Sequence, residues 1–395
     1  MTDARPNPTI DLENPHQSLM GRMIEAIARP GKLELNSLKH VESLNPTTRE
    51  NCEFFLECVD ESADLNKLGR IMVENLVKEI IQNHHQISLR LQESSFPAIK
   101  DPVIILGLPR TGSSYLFNLL GSTQVFRTLR HWETHKIASR KPAFMKKLEA
   151  VLMLKLMHHL SPGFRTVHEI RLEGPEECTK PLMNCFVSQS FPTLFHIPKY
   201  NRFLDTADYL PTYELYHQQL QILGDHGKRW LLKSPIHMQS IDSILKVFPT
   251  ARFIHLHRDF DEVLCSICSL AAAYRCMTSH RLNGREIGSE VKKYLSRDLA
   301  KGQAVLDAHQ EKVLNIHYKQ IVDHPIQTVR EIFEFVGCEF NEDSERSLEQ
   351  EMQVSIPNKY GKHIYRFEDY YPSSDDTSPT ESAEASERHN DSPSS

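Results

Sequence analysis

Several protein classes leave compositional marks that this sequence lacks. It has no surplus of positive charge: 46 Lys and Arg stand against 52 Asp and Glu, a net charge of −6. A general binder of nucleic acid or of membrane surfaces favours the opposite balance, so neither fits the chain as a whole, and only a local basic pocket stays open. No apolar run comes near the ~18–20 residues needed to span a bilayer. The opening stretch, MTDARPNPTIDLENPH, is polar and partly acidic, unlike a signal peptide. A cytoplasmic protein without a transmembrane segment is the expectation.

Cysteine is also sparse. The eight cysteines lie at 52, 58, 178, 185, 265, 268, 276 and 338, and one pair, Cys265 and Cys268, has CxxC spacing. A zinc site needs a second ligand pair, and none follows at matching spacing. A redox pair needs a thioredoxin-like setting, which is missing too. The cysteines therefore read as reduced, mostly buried thiols, and no metal is expected.

The chain of 395 residues is longer than the roughly 250–300 at which single cores stop growing, so one large domain with additions is expected. Residues 1–16 read as a flexible N-terminus and 17–95 as a helical region. Within the latter, Leu68, Ile71, Met72, Leu76 and Ile80 recur at helical spacing. An α/β domain follows over 96–371, with a mostly helical lobe inserted at 135–228. From 372 to 395 the chain is acidic, Ser-rich and almost without large apolar residues, so it reads as disordered.

Short continuous apolar runs mark buried parallel strands: 102–106, 229–233, 251–257 and 313–318. Helical stretches follow each of them, at about 113–120, 238–247, from 259, and 326–336. This alternation predicts a P-loop-like central parallel sheet flanked by helices. Ligands in such sheets bind beyond the carboxyl ends of the strands.

The first of these ends runs into Gly107-Leu108-Pro109-Arg110-Thr111-Gly112-Ser113-Ser114, which has P-loop spacing. Consecutive backbone N–H groups and a helix N-terminus cradle an anion in such a turn. Thr111, Ser113 and Ser114 add hydroxyls. Position 113 carries Ser where a triphosphatase has Lys, and the cation sits at Arg110 instead, which favours a shorter anionic group. Farther along, Arg258 closes the run 251–257, and Ser266 lies about two helical turns beyond it. Together they could grip one phosphate, or Arg258 could pair with a nearby carboxylate. Asp259 is placed to cap the next helix.

Two anion sites suit a nucleotide phosphorylated at both ends, and here the sequence resembles the sulfotransferases that use 3′-phosphoadenosine 5′-phosphosulfate (PAPS). The loop 107–114 is similar to the bacterial-type pattern G-x-P-R-[ST]-G-[ST]-[ST]. Residues 248–259 with Ser266 resemble the family's 3′-phosphate motif. Leu231-Leu232-Lys233-Ser234-Pro235-Ile236-His237, Gly174-Pro175-Glu176-Glu177-Cys178, Tyr318 before Asp323-His324-Pro325, and Gly361-Lys362-His363-Ile364-Tyr365 resemble further family segments.

The resemblance implies transfer of a sulfuryl group from PAPS to a hydroxyl of a small-molecule or lipid-like acceptor, releasing adenosine 3′,5′-bisphosphate (PAP). Arg110, Thr111, Gly112, Ser113 and Ser114 would hold the 5′-phosphosulfate, and Arg258 and Ser266 the 3′-phosphate. Tyr318 would pack on the nucleotide or in the core. Lys362, with Lys359 near it, would close over the 3′-phosphate. Lys233 would neutralise the oxygen that leaves sulfur, unless it only snorkels from a strand end. Glu133, beside Trp132, would serve as general base, with His131 and His168 as competitors. Its alternative is a carboxylate paired with Arg130 or Lys136. Glu176 and Glu177 read as acidic residues stabilising a helix start. Homo-oligomerisation and the acceptor's identity stay open.

Two other readings remain. A P-loop kinase or NTPase predicts Lys at 113 and an acidic Mg²⁺ residue closing a strand, and neither is evident. A non-catalytic PAP-binding scaffold would need no Glu133 or Lys233.

Overall fold

A computed structural model describes residues 33–160, 171–355 and 370–371. Helix α1, Pro46–Ser62, starts with Pro at its first turn, where no N–H is needed, and with Asn45 capping Thr48 N–H at 2.8 Å. Helix α2, Lys67–Glu93, is capped in the same way by Asn66 on Gly69 N–H at 2.8 Å. Strand β1, Val103–Gly107, leads into α3, Ser113–Ser122. Then come β2, Phe126–Arg127, the single turn α4, His131–Thr134, and α5, Ala143–Leu160.

Short helices over 179–182, 190–194 and 198–203 precede α6, Leu210–Leu223. Prolines at 181, 192 and 198 fall inside or at the start of these pieces and keep them short. The chain returns to the sheet as β3, Arg229–Lys233, and β4, Arg252–His257. Helices α7, Phe260–Thr278, and α8, Gly284–Asp307, lead to β5, Val313–His317. Helices α9, Pro325–Val336, and α10, Glu342–Val354, complete the described fold.

The five strands form one parallel sheet in the order β2-β3-β1-β4-β5. All five residues of β1 are buried, as a strand covered on both faces requires. The four expected strands lie within a residue of their predicted bounds. The two-residue β2 was not foreseen, because so short a run carries no periodicity. The helix expected at 238–247 is α-helical over Ile241–Val247, while residues 238–240 belong to a 3₁₀ turn, Pro235–Ser240, in which Pro235 follows the capping Ser234.

The helices α1 and α2 share one core with the sheet: Phe55, Val77 and Ile80 pack in the same cluster as Ile104, Trp230 and Phe253. Phe55 is fully buried, with rings of Phe186, Phe191, Phe195 and Tyr200 at 4.6 to 6.2 Å. Truncating such a residue to Ala costs about 3–5 kcal/mol. Gly69 marks a close approach, since a Cβ there would lie 2.1 Å from the Thr278 carbonyl oxygen at the end of α7. None of the eight cysteines forms a disulfide, and burial pushes the Cys268 thiol up to about 12.

Candidate active site

The sheet order sets the carboxyl ends of β3, β1, β4 and β5 side by side. Lys233 is level with Ile105, Gly107 with Leu256, and His257 with His317. The loop after β1 is built from left-handed backbone: Gly107 has φ +131°, Arg110 +68° and Gly112 +82°. A Cβ at Gly107 would sit 2.7 Å from the Leu256 carbonyl oxygen, and one at Gly112 would sit 3.0 Å from the Tyr318 ring. Glycine is required at both positions. Arg110 is not glycine, so its conformation carries a strain of about 1–3 kcal/mol. The buried Thr111 donates its hydroxyl to the Leu108 carbonyl at 2.8 Å and ties the turn. Ser113 is buried, while Arg110 and Ser114 are exposed at the mouth. The donor set of loop amides, hydroxyls and Arg110 at a helix N-terminus fits an anionic phosphate-like group.

Arg258 continues the wall. Its Nη1 donates to the Arg110 carbonyl at 2.7 Å, and its guanidinium lies 4.2 Å from the centre of the Tyr318 ring. Glu262 pairs with it at 2.6 Å, so the nearby-carboxylate alternative is realised alongside the loop contact. Asp259 caps α7, accepting from Asp261 and Glu262 N–H. Ser266 is buried on α7, and among the described residues no hydrogen bond joins it to Arg258, which bonds Glu262 and the Arg110 carbonyl instead. The structure thus brings Arg110, Gly112, Arg258 and Tyr318 together.

On the other side of the loop, Lys233 is 2% exposed. Its ammonium donates to Ser114 Oγ at 3.0 Å and contacts the Glu177 carboxylate. The Glu177 backbone N–H donates to Glu176 Oε1 at 3.0 Å, and Glu176 Oε2 lies 2.7 Å from His131 Nδ1. Residues 176–178 are pinned between two strand ends: Glu176 N–H donates to the Leu129 carbonyl and Cys178 N–H to the Lys233 carbonyl.

These two glutamates therefore need a different account from the one expected. The next helix starts at Thr179, and both carboxylates bind specific side chains. Their places in the network escaped sequence reasoning because they depend on this long-range pinning.

Glu133 and His131 share the turn α4. Glu133 is 6% exposed, and both its oxygens are engaged. Oε1 accepts from Arg127 Nη2 at 2.8 Å, and Oε2 accepts from Arg130 N–H at 2.9 Å. Arg127, itself buried, stacks on Trp230 at 4.7 Å. Glu133 is thus half of a buried ion pair and the far end of a capping box, with Arg127 as partner in place of Arg130 or Lys136 side chains. Trp132 donates to Glu173 at 3.1 Å and leaves Glu133 alone. His131 is 5% exposed, and its Nε2 has no hydrogen-bond partner among the described residues. His168, Lys359, Lys362 and the segment 361–365 lie outside the described residues.

A five-stranded parallel sheet, a glycine turn feeding a helix N-terminus and cations at adjacent strand ends define a P-loop-like fold with a candidate anion site at the strand ends. The chain belongs to the sulfotransferase family, whose model matches residues 102–342. It is 26% identical over 186 residues to omega-hydroxy-beta-dihydromenaquinone-9 sulfotransferase Stf3 of Mycobacterium bovis, a match covering 43% of this chain. The protein of that name from Mycobacterium tuberculosis matches equally. The chain spans about half the length of these curated relatives, 46%.

Among solved structures, its fold is similar to sulfotransferase STF1 from M. tuberculosis H37Rv, with a TM-score of 0.70 at 23% identity over 83% of this chain and 92% of that one. It is likewise similar to STF9 from Mycobacterium avium, with a TM-score of 0.71 at 22% identity, covering 83% and 87%.

Proposed function

We propose that this enzyme transfers the sulfuryl group of PAPS to a hydroxyl of a lipid-like acceptor and releases PAP. The observation that carries the reading is the contact of Lys233 with Ser114, 3.0 Å, which brings a buried cation onto the last hydroxyl of the anion loop. Sulfuryl transfer, like phosphoryl transfer, depends mostly on alignment and charge stabilisation. Arg110, Thr111, Gly112, Ser113 and Ser114 hold the 5′-phosphosulfate. Lys233 meets the charge that develops on the phosphate oxygen as its bond to sulfur breaks. Arg258, with Ser266 farther along α7, holds the 3′-phosphate, with Lys362 as a further cation for that phosphate, and Tyr318 lines the nucleotide. The lipid-like acceptor is supported by the name of the Stf3 relative.

The base comes from the turn α4. The family resemblance points to Glu133. The geometry favours His131: Glu176 accepts at Nδ1, which leaves the Nε2 lone pair to take the acceptor's proton. Glu133 already has both oxygens committed.

The test uses PAP and PAPS without Mg²⁺. PAP should raise the melting temperature, labelled PAPS should lose its sulfate to a lipid alcohol, and Arg110→Ala should abolish the transfer. Stabilisation by ATP with Mg²⁺ and none by PAP would overturn the reading. Stabilisation by PAP with no transfer to any hydroxyl would point to the scaffold.

A further inference from the structure

Helix α5 turns apolar side chains toward solvent. Ala150 and Leu154 face inward, but Phe144 is 69% exposed, Leu148 57% and Leu152 58%. These three recur every four residues, so they form one stripe along the helix, with Met145 beside it at 40%. Eight large hydrophobic residues are exposed among the described residues, and five of them are on α5. Single exposed leucines need no explanation, whereas a contiguous patch marks an interaction surface.

The surroundings of the stripe are cationic. Between 136 and 155 stand Lys136, Arg140, Lys141, Lys146, Lys147 and Lys155 against Glu149 alone. Glu149 bridges Lys136 and Lys141, Glu93 meets Arg140, and Glu173 meets Lys147 and Arg130. Seven cations thus face three carboxylates, an excess of four. The composition of the whole chain hides this, because the excess is diluted in a net charge of −6.

From this we infer that α5 docks the enzyme on an anionic lipid bilayer, lying in the interface with Phe144, Leu148 and Leu152 inserted and its lysines at the headgroups. The helix is apolar on its inward face as well, so the case rests on the exposed stripe together with the local cationic excess, and each basic residue near an anionic surface contributes about 1 kcal/mol. No described helix is long and apolar enough to cross a membrane, so α5 lies on the surface. A second copy of the chain suits the stripe less well, because a two-fold interface would set this cationic rim against itself.

Docking here also has a consequence for the reaction, which rests on the lipid-like acceptor proposed above. Lys146 and Lys147 each lie 5.3 Å from the centre of the Trp132 ring, in the turn that carries His131 and Glu133. A bilayer against α5 presents a membrane-resident alcohol beside the candidate site.

The full-length protein, wild type and Leu148→Asp/Leu152→Asp, is sedimented with vesicles of phosphatidylcholine alone or mixed with phosphatidylglycerol, and its PAP-induced thermal shift is measured in parallel. Wild type should bind the anionic vesicles at least about tenfold more tightly than the neutral ones and lose that preference in high salt. The double variant should lose anionic binding by about tenfold or more and keep the PAP shift, which shows it folded. Undiminished binding by the double variant overturns the proposal. So does a wild-type dimer that ignores vesicles and is dissociated by the double substitution. Vesicle binding without any PAP shift upholds docking and sinks the nucleotide reading instead.

Discussion

The ammonium of Lys233, buried at the end of β3, donates to the Ser114 hydroxyl 3.0 Å away at the start of α3. Glu177 contacts the same ammonium, so the cation is held between a carboxylate and the loop that receives the anion. A positioned charge of this kind needs no rearrangement when charge develops next to it. Lys233→Met is expected to lower kcat by about 10²–10³-fold while PAP affinity changes less. Turnover of labelled PAPS and PAP titration calorimetry read the two quantities separately. A variant keeping more than a tenth of wild-type kcat would remove Lys233 from the reaction.

His131 and Glu133 make opposite predictions. Glu133→Gln leaves the buried Arg127 guanidinium without its carboxylate, and breaking a buried pair costs about 3–5 kcal/mol. The expected result is a large drop in urea stability, with the remaining folded enzyme turning over within about tenfold of wild type. His131→Asn removes the orphan Nε2 and should lower kcat by about 10²–10⁴-fold at nearly unchanged stability. If the two results exchange places, Glu133 is the base and His131 a packing residue.

What could be read in the sequence was local. Val103–Gly107 and Arg252–His257 announced themselves as strands because a strand buried on both faces is apolar throughout. The turn Gly107–Ser114 did so because only glycine accepts the positive φ at 107 and 112 without strain. The partners of Glu133, Glu176 and Glu177 were not legible. Arg127 reaches Glu133 only because β2 pairs with β3, and Glu177 reaches Lys233 only because Cys178 bonds the end of β3. Likewise, α1 and α2 show helical period in the sequence, but nothing in that period tells whether they pack alone or on the sheet.

Arg258 has two duties that a ligand experiment can separate. It braces the Arg110 carbonyl and stacks on Tyr318, and in the proposed reading it also binds a 3′-phosphate. A charged hydrogen bond contributes about 1.5–3 kcal/mol. Arg258→Ala should therefore weaken PAP binding by about 10- to 100-fold, and binding of 5′-AMP, which lacks the 3′-phosphate, much less. Equal losses for both nucleotides would assign Arg258 to bracing the loop alone.

Two histidines should make the fold sensitive to acid. His237 is fully buried under Tyr213, whose hydroxyl lies 2.8 Å from its Nδ1, and burial holds it down at about 3. His255, buried in β4, is held down to about 4 by burial and, secondarily, by neighbouring His257. Both stay neutral in the folded chain while an unfolded histidine takes a proton below about 6.5. The unfolded state therefore binds more protons between pH 6.5 and 4, so stability is full above 6.5 and is lost as the pH falls. By pH 4 each histidine should remove on the order of 3 kcal/mol. Urea unfolding from pH 7 to pH 4 should show this decline, and His255→Gln should flatten it by about one proton's worth of slope. An unchanged slope in that variant would mean that His255 already takes up its proton in the folded protein.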